Sequence, residues 1–72
     1  MAAIKAHITG TVWKIEVAVG DHIDEDGVVM ILESMKMEMP VESSYAGTIT
    51  ALLVAEGTSV AEGQVLATIE ED

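Results

Sequence analysis

A shift of 37 residues lays Ile4–Glu33 over Val41–Glu70 without a gap, and this internal repeat limits the fold more than any other feature of the chain. Eight of the 30 pairs are identical: Gly10/Gly47, Thr11/Thr48, Val17/Val54, Ala18/Ala55, Gly20/Gly57, Glu25/Glu62, Val28/Val65 and Glu33/Glu70. Ile15/Leu52, Ile23/Val60 and Leu32/Ile69 are apolar exchanges that keep the period. A unit this small exposes an apolar face that it can bury only against its copy. A chain of 72 residues builds one core, so residues 1–72 are read as a single domain with repeats at 4–33 and 41–70.

The period inside each repeat is that of strands. Ile4, Ala6 and Ile8 alternate with Lys5, His7 and Thr9, and Trp13, Ile15 and Val17 alternate with Val12, Lys14 and Glu16. Gly10 marks a turn or bend, and Gly20-Asp21 is turn chemistry. Pro40 cannot donate to a ladder, which predicts that its segment lies at a sheet edge or places that position outward. No stretch keeps a helical period, although Ala51 to Glu56 is locally ambiguous. The expected fold is all-β: two four-stranded antiparallel sheets, related by a pseudo-two-fold axis and closed into a flattened barrel or sandwich.

At the junction of the repeats stands Glu33-Ser34-Met35-Lys36-Met37-Glu38. A strand pattern from Val28 to Leu32 runs in, and an alternating one through Met37, Met39 and Val41 runs out, so Lys36 falls at the tip of a β-hairpin. Lys5 and Lys14 are the only other basic residues. A lysine on a tight turn has a fixed backbone and an ammonium in water. Unaided, it is a poor nucleophile, but a partner enzyme that removes its proton could acylate it. Lys36 is therefore read either as a covalent attachment point, which its tip position and flanking methionines favour, or as a plain solvated turn lysine. Met35 and Met37 read either as apolar caps on one end of the barrel or, being flexible and polarizable, as a surface that several partners must recognise. The lysine's counterpart in the second repeat would lie three residues past Glu70, where the sequence has stopped, so the opposite pole should carry the termini.

Thirteen acidic residues and three lysines give a formal charge of −10. That balance disfavours nucleic acid and anionic membranes. It serves solubility and could steer the domain towards basic docking surfaces. Without cysteine there are no disulfides or thiolate metal sites. Neither a signal peptide nor an apolar run of membrane-spanning length is visible, which predicts a cytoplasmic protein, a monomer on its own. Met1 and the acidic end Glu70-Glu71-Asp72 lean towards a free-standing chain.

Other candidates for chemistry read as surface. His7 and His22 have no carboxylates spaced for a metal, and Asp24-Glu25-Asp26 lacks the ligand spacing of a calcium loop. No catalytic residues and no metal ligands are assigned. Nothing here reads as a self-contained enzyme, and the chain is expected to be non-catalytic.

Glu33-Ser34-Met35-Lys36-Met37 resembles the attachment motif Glu-Ala/Ser-Met-Lys-Met of biotin carboxyl carrier domains, in the biotin/lipoyl attachment family. The resemblance extends through Val17-Ala18-Val19-Gly20-Asp21-His22-Ile23 and from Val54 to Glu70, covering roughly residues 4–70. It implies biotin joined through an amide to Lys36 by a biotin protein ligase. Met35 and Met37 would flank the site, and Glu33 and Ser34 would complete the hairpin motif. It further implies that a biotin carboxylase loads a carboxyl group on the biotin and that the arm delivers it to a carboxyltransferase. Tethering would make that transfer nearly intramolecular.

Two segments depart from the pattern. Asp26-Gly27 replaces the usual Gly-Gln, kept as Gly63-Gln64, which suggests a turn re-formed one place later. Ala6-His7-Ile8-Thr9-Gly10 keeps only the ends of Ala-Pro-Met-x-Gly, and no thumb-like insertion is present. The alternatives are a lipoyl carrier, whose acceptors more often read Asp-Lys-Ala, an unmodified protein-interaction module, and an enzyme using Lys36 as a nucleophile.

Overall fold

The alternating segments form eight strands and no helix in the computed structural model, which describes residues 1–72. They are β1 (Ala2–Lys5), β2 (Gly10–Ile15), β3 (His22–Ile23), β4 (Val28–Ser34), β5 (Met37–Glu42), β6 (Gly47–Leu52), β7 (Ser59–Val60) and β8 (Val65–Glu71). One antiparallel sheet has the order β1-β8-β6-β3 and the other β5-β4-β2-β7. Moving every label on by four strands turns the first order into the second, so the two sheets are related by the pseudo-two-fold. Each sheet takes two strands from each half. Neither half can complete a sheet without the other.

The local devices repeat as well. Gly20 donates to Ile49 O and Asp21 O accepts from Ile49 N, while Gly57 donates to Val12 O and Thr58 O accepts from Val12 N. Trp13 bulges out of the β2–β4 ladder, and Thr50, 37 residues on, bulges out of β6–β8. Val29 and Leu66 mark a second repeated pair of bulges.

These bulges shift the side-chain phase predicted for β2. Alternation alone places Trp13 inward, but Val12 is buried and Trp13 is 49% exposed, because Trp13 and Lys14 together face Ile31. Ile15 and Val17 regain the inner face and pack against the core. Similarly, Val29 and Met30 are adjacent yet both buried. The core holds 13 apolar residues, among them Met30, Leu32, Ile49, Leu66 and Ile69. Complete burial of one such side chain is worth about 1.5–3 kcal/mol.

Gly10 is the first residue of β2 rather than a turn. A Cβ there would lie 2.5 Å from Glu33 O, so the glycine lets β2 close against the end of β4. Gly47 stands in the same relation to Glu70. The acidic loop also differs from expectation. Its left-handed corner stays on Asp26 (φ 70°), the counterpart of Gly63 (φ 87°), and does not move to Gly27. Aspartate tolerates that region better than most side chains. Gly27 answers to contact instead, since a Cβ there would lie 2.5 Å from Cγ1 of the buried Ile23.

Candidate functional site

Ser34 pairs with Met37, which leaves Met35 and Lys36 as the two residues of the β4–β5 connection. Both have positive φ, 53° and 64°. This is the backbone of a type I′ turn, whose twist matches that of the flanking strands. The type is usually filled by Asn-Gly, because other residues lose roughly 1–2 kcal/mol each in the left-handed region. A Met-Lys pair is held there by the ladder behind it: Leu32↔Met39, Glu33↔Glu38 and Ser34↔Met37. Leu32 is fully buried and anchors β4 to the core.

Met35 is 91% exposed and Met37 58% exposed. Lys36 and Glu33 are exposed as well, and Ser34 is half-buried. The ion pairs of the molecule are Lys14 with Glu16 at 3.8 Å and His22 with Asp72 at 2.8 Å, so the Lys36 ammonium is unpaired. Glu33 and Glu38 face one another across the ladder on the outer side of the sheet and set a negative field beside the tip. The motif residues from Glu33 to Met37 thus lie together on one corner. Pro40 is exposed on β5, an edge strand, where its missing N–H costs the ladder nothing.

Two surface grooves, of about 370 and 310 Å³, lie away from this corner. They share Lys5, Glu42 and Ser44, and neither reaches the Met35–Met37 turn. No three His, Cys, Asp or Glu side chains are grouped as metal ligands. His7 and His22 are exposed, as is the Asp24-Glu25-Asp26 loop. The His22 partner was not anticipated: Nε2 meets the Asp72 carboxylate, and this hydrogen bond, then the charge of Asp72, raises the His22 pKa from 6.5. Nothing in the sequence signals a contact across 50 residues to the last position.

The family profile described as biotin-requiring enzyme matches residues 1–69. The chain belongs to this biotin/lipoyl family. A biotin/lipoyl attachment protein of Bacillus subtilis is 40% identical over 63 residues, covering 88% of this chain and 86% of its own. The biotin-dependent acyl-coenzyme A carboxylase alpha3 subunit of Mycobacterium leprae is 44% identical over 68 residues, covering 94% of this chain. The crystal structure of Kluyveromyces lactis urea carboxylase superposes with a TM-score of 0.91 at 35% identity over 96% of this chain. This biotin/lipoyl chain spans only 11% of the acyl-coenzyme A carboxylase subunit and 6% of the urea carboxylase chain.

Proposed function

We propose that this chain is a biotin carboxyl carrier in which the ε-amine of Lys36 is the attachment point for biotin. The observation that carries the reading is the two-residue turn itself: Met35 and Lys36 both sit at positive φ, and the unpaired amine projects from a corner. The corner fits such a group, since an amide at Nζ disturbs no hydrogen bond, ion pair or packed contact. The relatives named as an attachment protein and a biotin-dependent carboxylase subunit support biotin as the group.

Loading forms one amide bond. A biotin protein ligase presents the biotin carboxyl as an acyl-adenylate, and the Lys36 ammonium gives up one proton and attacks the acyl carbon as the free amine. As AMP leaves, the nitrogen sheds a second proton to give the amide. When bound, biotin supplies a ring that takes up and gives off a carboxyl group. The chain's own residues do the rest by presentation. The ladder fixes the Lys36 backbone, the four-carbon stem leaves the tip free to swing, and Met35 and Met37 offer an adaptable apolar surface on either side. With no pocket at the tip, both carboxyl-transfer steps fall to partner enzymes, a biotin carboxylase and a carboxyltransferase. Tethering raises the effective concentration of the reacting group at both sites. No helix is long and apolar enough to cross a membrane; we place the carrier with its partners in the cytoplasm.

Incubation with biotin, ATP and a biotin protein ligase, followed by intact-mass measurement, tests the reading. One biotinyl addition is expected, and none on Lys36→Ala. Addition at Lys5 or Lys14, or preference for lipoate from a lipoate ligase, overturns it.

A further inference from the structure

The two sheets are the same fold filled twice, so the second serves as an internal reference for the first. On the outer face of β5-β4-β2-β7, Trp13 and Lys14 face Ile31, and Ile31 faces Pro40. The corresponding positions of the other sheet hold Thr50 and Ala51 facing Thr68, with Thr68 facing Ala3. There the threonine hydroxyls hydrogen-bond to each other at 2.6 Å. The sheet that carries Lys36 has exchanged this self-satisfied polar pair for an apolar row, with Trp13 49% exposed and Pro40 exposed. Folding does not require the exchange, because the same ladder closes with threonines.

We infer that this outer face is the surface on which the enzyme that acylates Lys36 docks, with Trp13, Ile31 and Pro40 filling an apolar recess framed by arginine or lysine. The inference rests on the reading of Lys36 as an acylated amine. Charge identifies the frame of the recess. Pro40 lies between Glu38 and Glu42 on β5, Glu33 faces Glu38, and none of these carboxylates has an ion-pair partner. The row is bordered by free carboxylates on its β4–β5 side, while Lys14, paired with Glu16, stands at its β2 end. On a chain of net charge −10 this complements an apolar pocket whose rim is basic where it meets β4 and β5. The row is also continuous with the tip: Ile31 is two residues, about 7 Å, along β4 from Glu33, which adjoins the turn.

Reach identifies the enzyme. A ligase that forms an amide at Nζ must bring its reacting atoms within one lysine stem of the hairpin, so its surface closes over β4 and β5. An enzyme that reacts at the far end of the attached group meets the domain an arm's length further out and needs no contact with Trp13. Buried tryptophan anchors carry a large share of binding energy at protein interfaces, with acidic residues of the rim setting orientation.

Trp13→Thr with Ile31→Thr transplants the side chains of Thr50 and Thr68 into the row. With a purified biotin protein ligase, the KM for this chain is expected to rise at least about tenfold, with kcat changed by less than about twofold. Ala3→Ser, on the other sheet, leaves both parameters as they are. Titration of the unaltered, isotope-labelled chain with ligase gives a reading free of substitutions. Amide signals of Trp13, Ile31 and Glu38 are expected to shift, and those of Ala3, Thr50 and Thr68 to stay. An unchanged KM in the folded double variant, or shifts confined to the Met35–Met37 turn, overturns the docking face while the attachment reading stands. Failure of the unaltered chain to gain biotin at Lys36 overturns both.

Discussion

Replacing the Met35-Lys36 turn by Asn-Gly should abolish loading and at the same time make the domain more stable. The two φ values, 53° and 64°, lie where only Gly, Asn and Asp are at ease. Relief of strain is worth about 1–2 kcal/mol at Lys36→Gly and somewhat less at Met35→Asn. Glycine gives back about 0.5–1 kcal/mol in the entropy of the unfolded chain. Removing the one cation near Glu33 and Glu38 subtracts a few tenths more. Little packing is lost, because Met35 is 91% exposed and Lys36 has no partner. The net gain is about 1–2 kcal/mol, which for a domain of this size raises Tm by about 4–16 °C. Thermal unfolding followed by circular dichroism on the unmodified protein measures it. Met35→Asn alone, which keeps the lysine, should move Tm in the same direction by a smaller amount. A fall in Tm for both variants would refute the claim that the turn is held against its own preference, and with it the idea that the ladder, not the tip sequence, makes the corner.

Gly10→Ala should destabilise by about 1–2 kcal/mol: a Cβ 2.5 Å from Glu33 O demands backbone movement, partly offset by a less flexible unfolded chain. Gly47→Ala meets Glu70 in the same way and should cost at least as much, so an unchanged urea midpoint in both would remove the close-approach explanation. The His22–Asp72 contact gives a pH dependence of fixed sign. The folded-state pKa of His22 is raised above 6.5, so its contribution to stability is complete below pH 6.5 and is lost as pH rises through the folded-state value. In Asp72→Asn the imidazole resonances should titrate at lower pH than in the unaltered chain, and an unmoved titration midpoint would rule out Asp72 as the cause.

Most of the fold was legible because strand alternation and the 37-residue repeat are one-dimensional signals of a two-dimensional object. The two four-stranded antiparallel sheets, the hairpin at Lys36 and the exposed edge position of Pro40 all agree with the reading. Backbone irregularity is where it stopped. Nothing in Thr11-Val12-Trp13-Lys14 announces a bulge, so the period-2 rule carried Trp13 to the wrong face. Asp26 was passed over as the left-handed corner because glycine was sought there, and glycine stands next to it for a contact visible only in three dimensions. At the site, the exposure of Met35 and Lys36 followed from the hairpin, but its left-handed backbone did not, since the turn lacks asparagine and glycine. The repeat alignment already contained Trp13/Thr50 and Ile31/Thr68. Without the ladder register, these could not be seen as one row.

A duplicated fold separates what the architecture needs from what it carries. The close-approach glycines at 10 and 47, the left-handed glycines at 20 and 57, and the paired bulges at 13/50 and 29/66 recur in both halves, because either sheet fails to close without them. The divergent places on the outer sheet faces owe nothing to closure. On one side these are the two-residue turn with its lysine, Glu38 beside it, and the row of Trp13, Ile31 and Pro40. On the other, Thr50 and Thr68 satisfy each other and present nothing. On this face the divergence lies at the tip and in the middle of the sheet, on either side of Glu33, which the repeat shares with Glu70. The chain gains no stability from an outward tryptophan or a strained lysine there. Both features cost the isolated domain something and return it only when another protein covers them. On this argument, grafting the β5-β4-β2 outer face onto the β1-β8-β6 side would leave the fold intact and still fail to create a second loading site, because that side lacks the turn from which an amine could be offered.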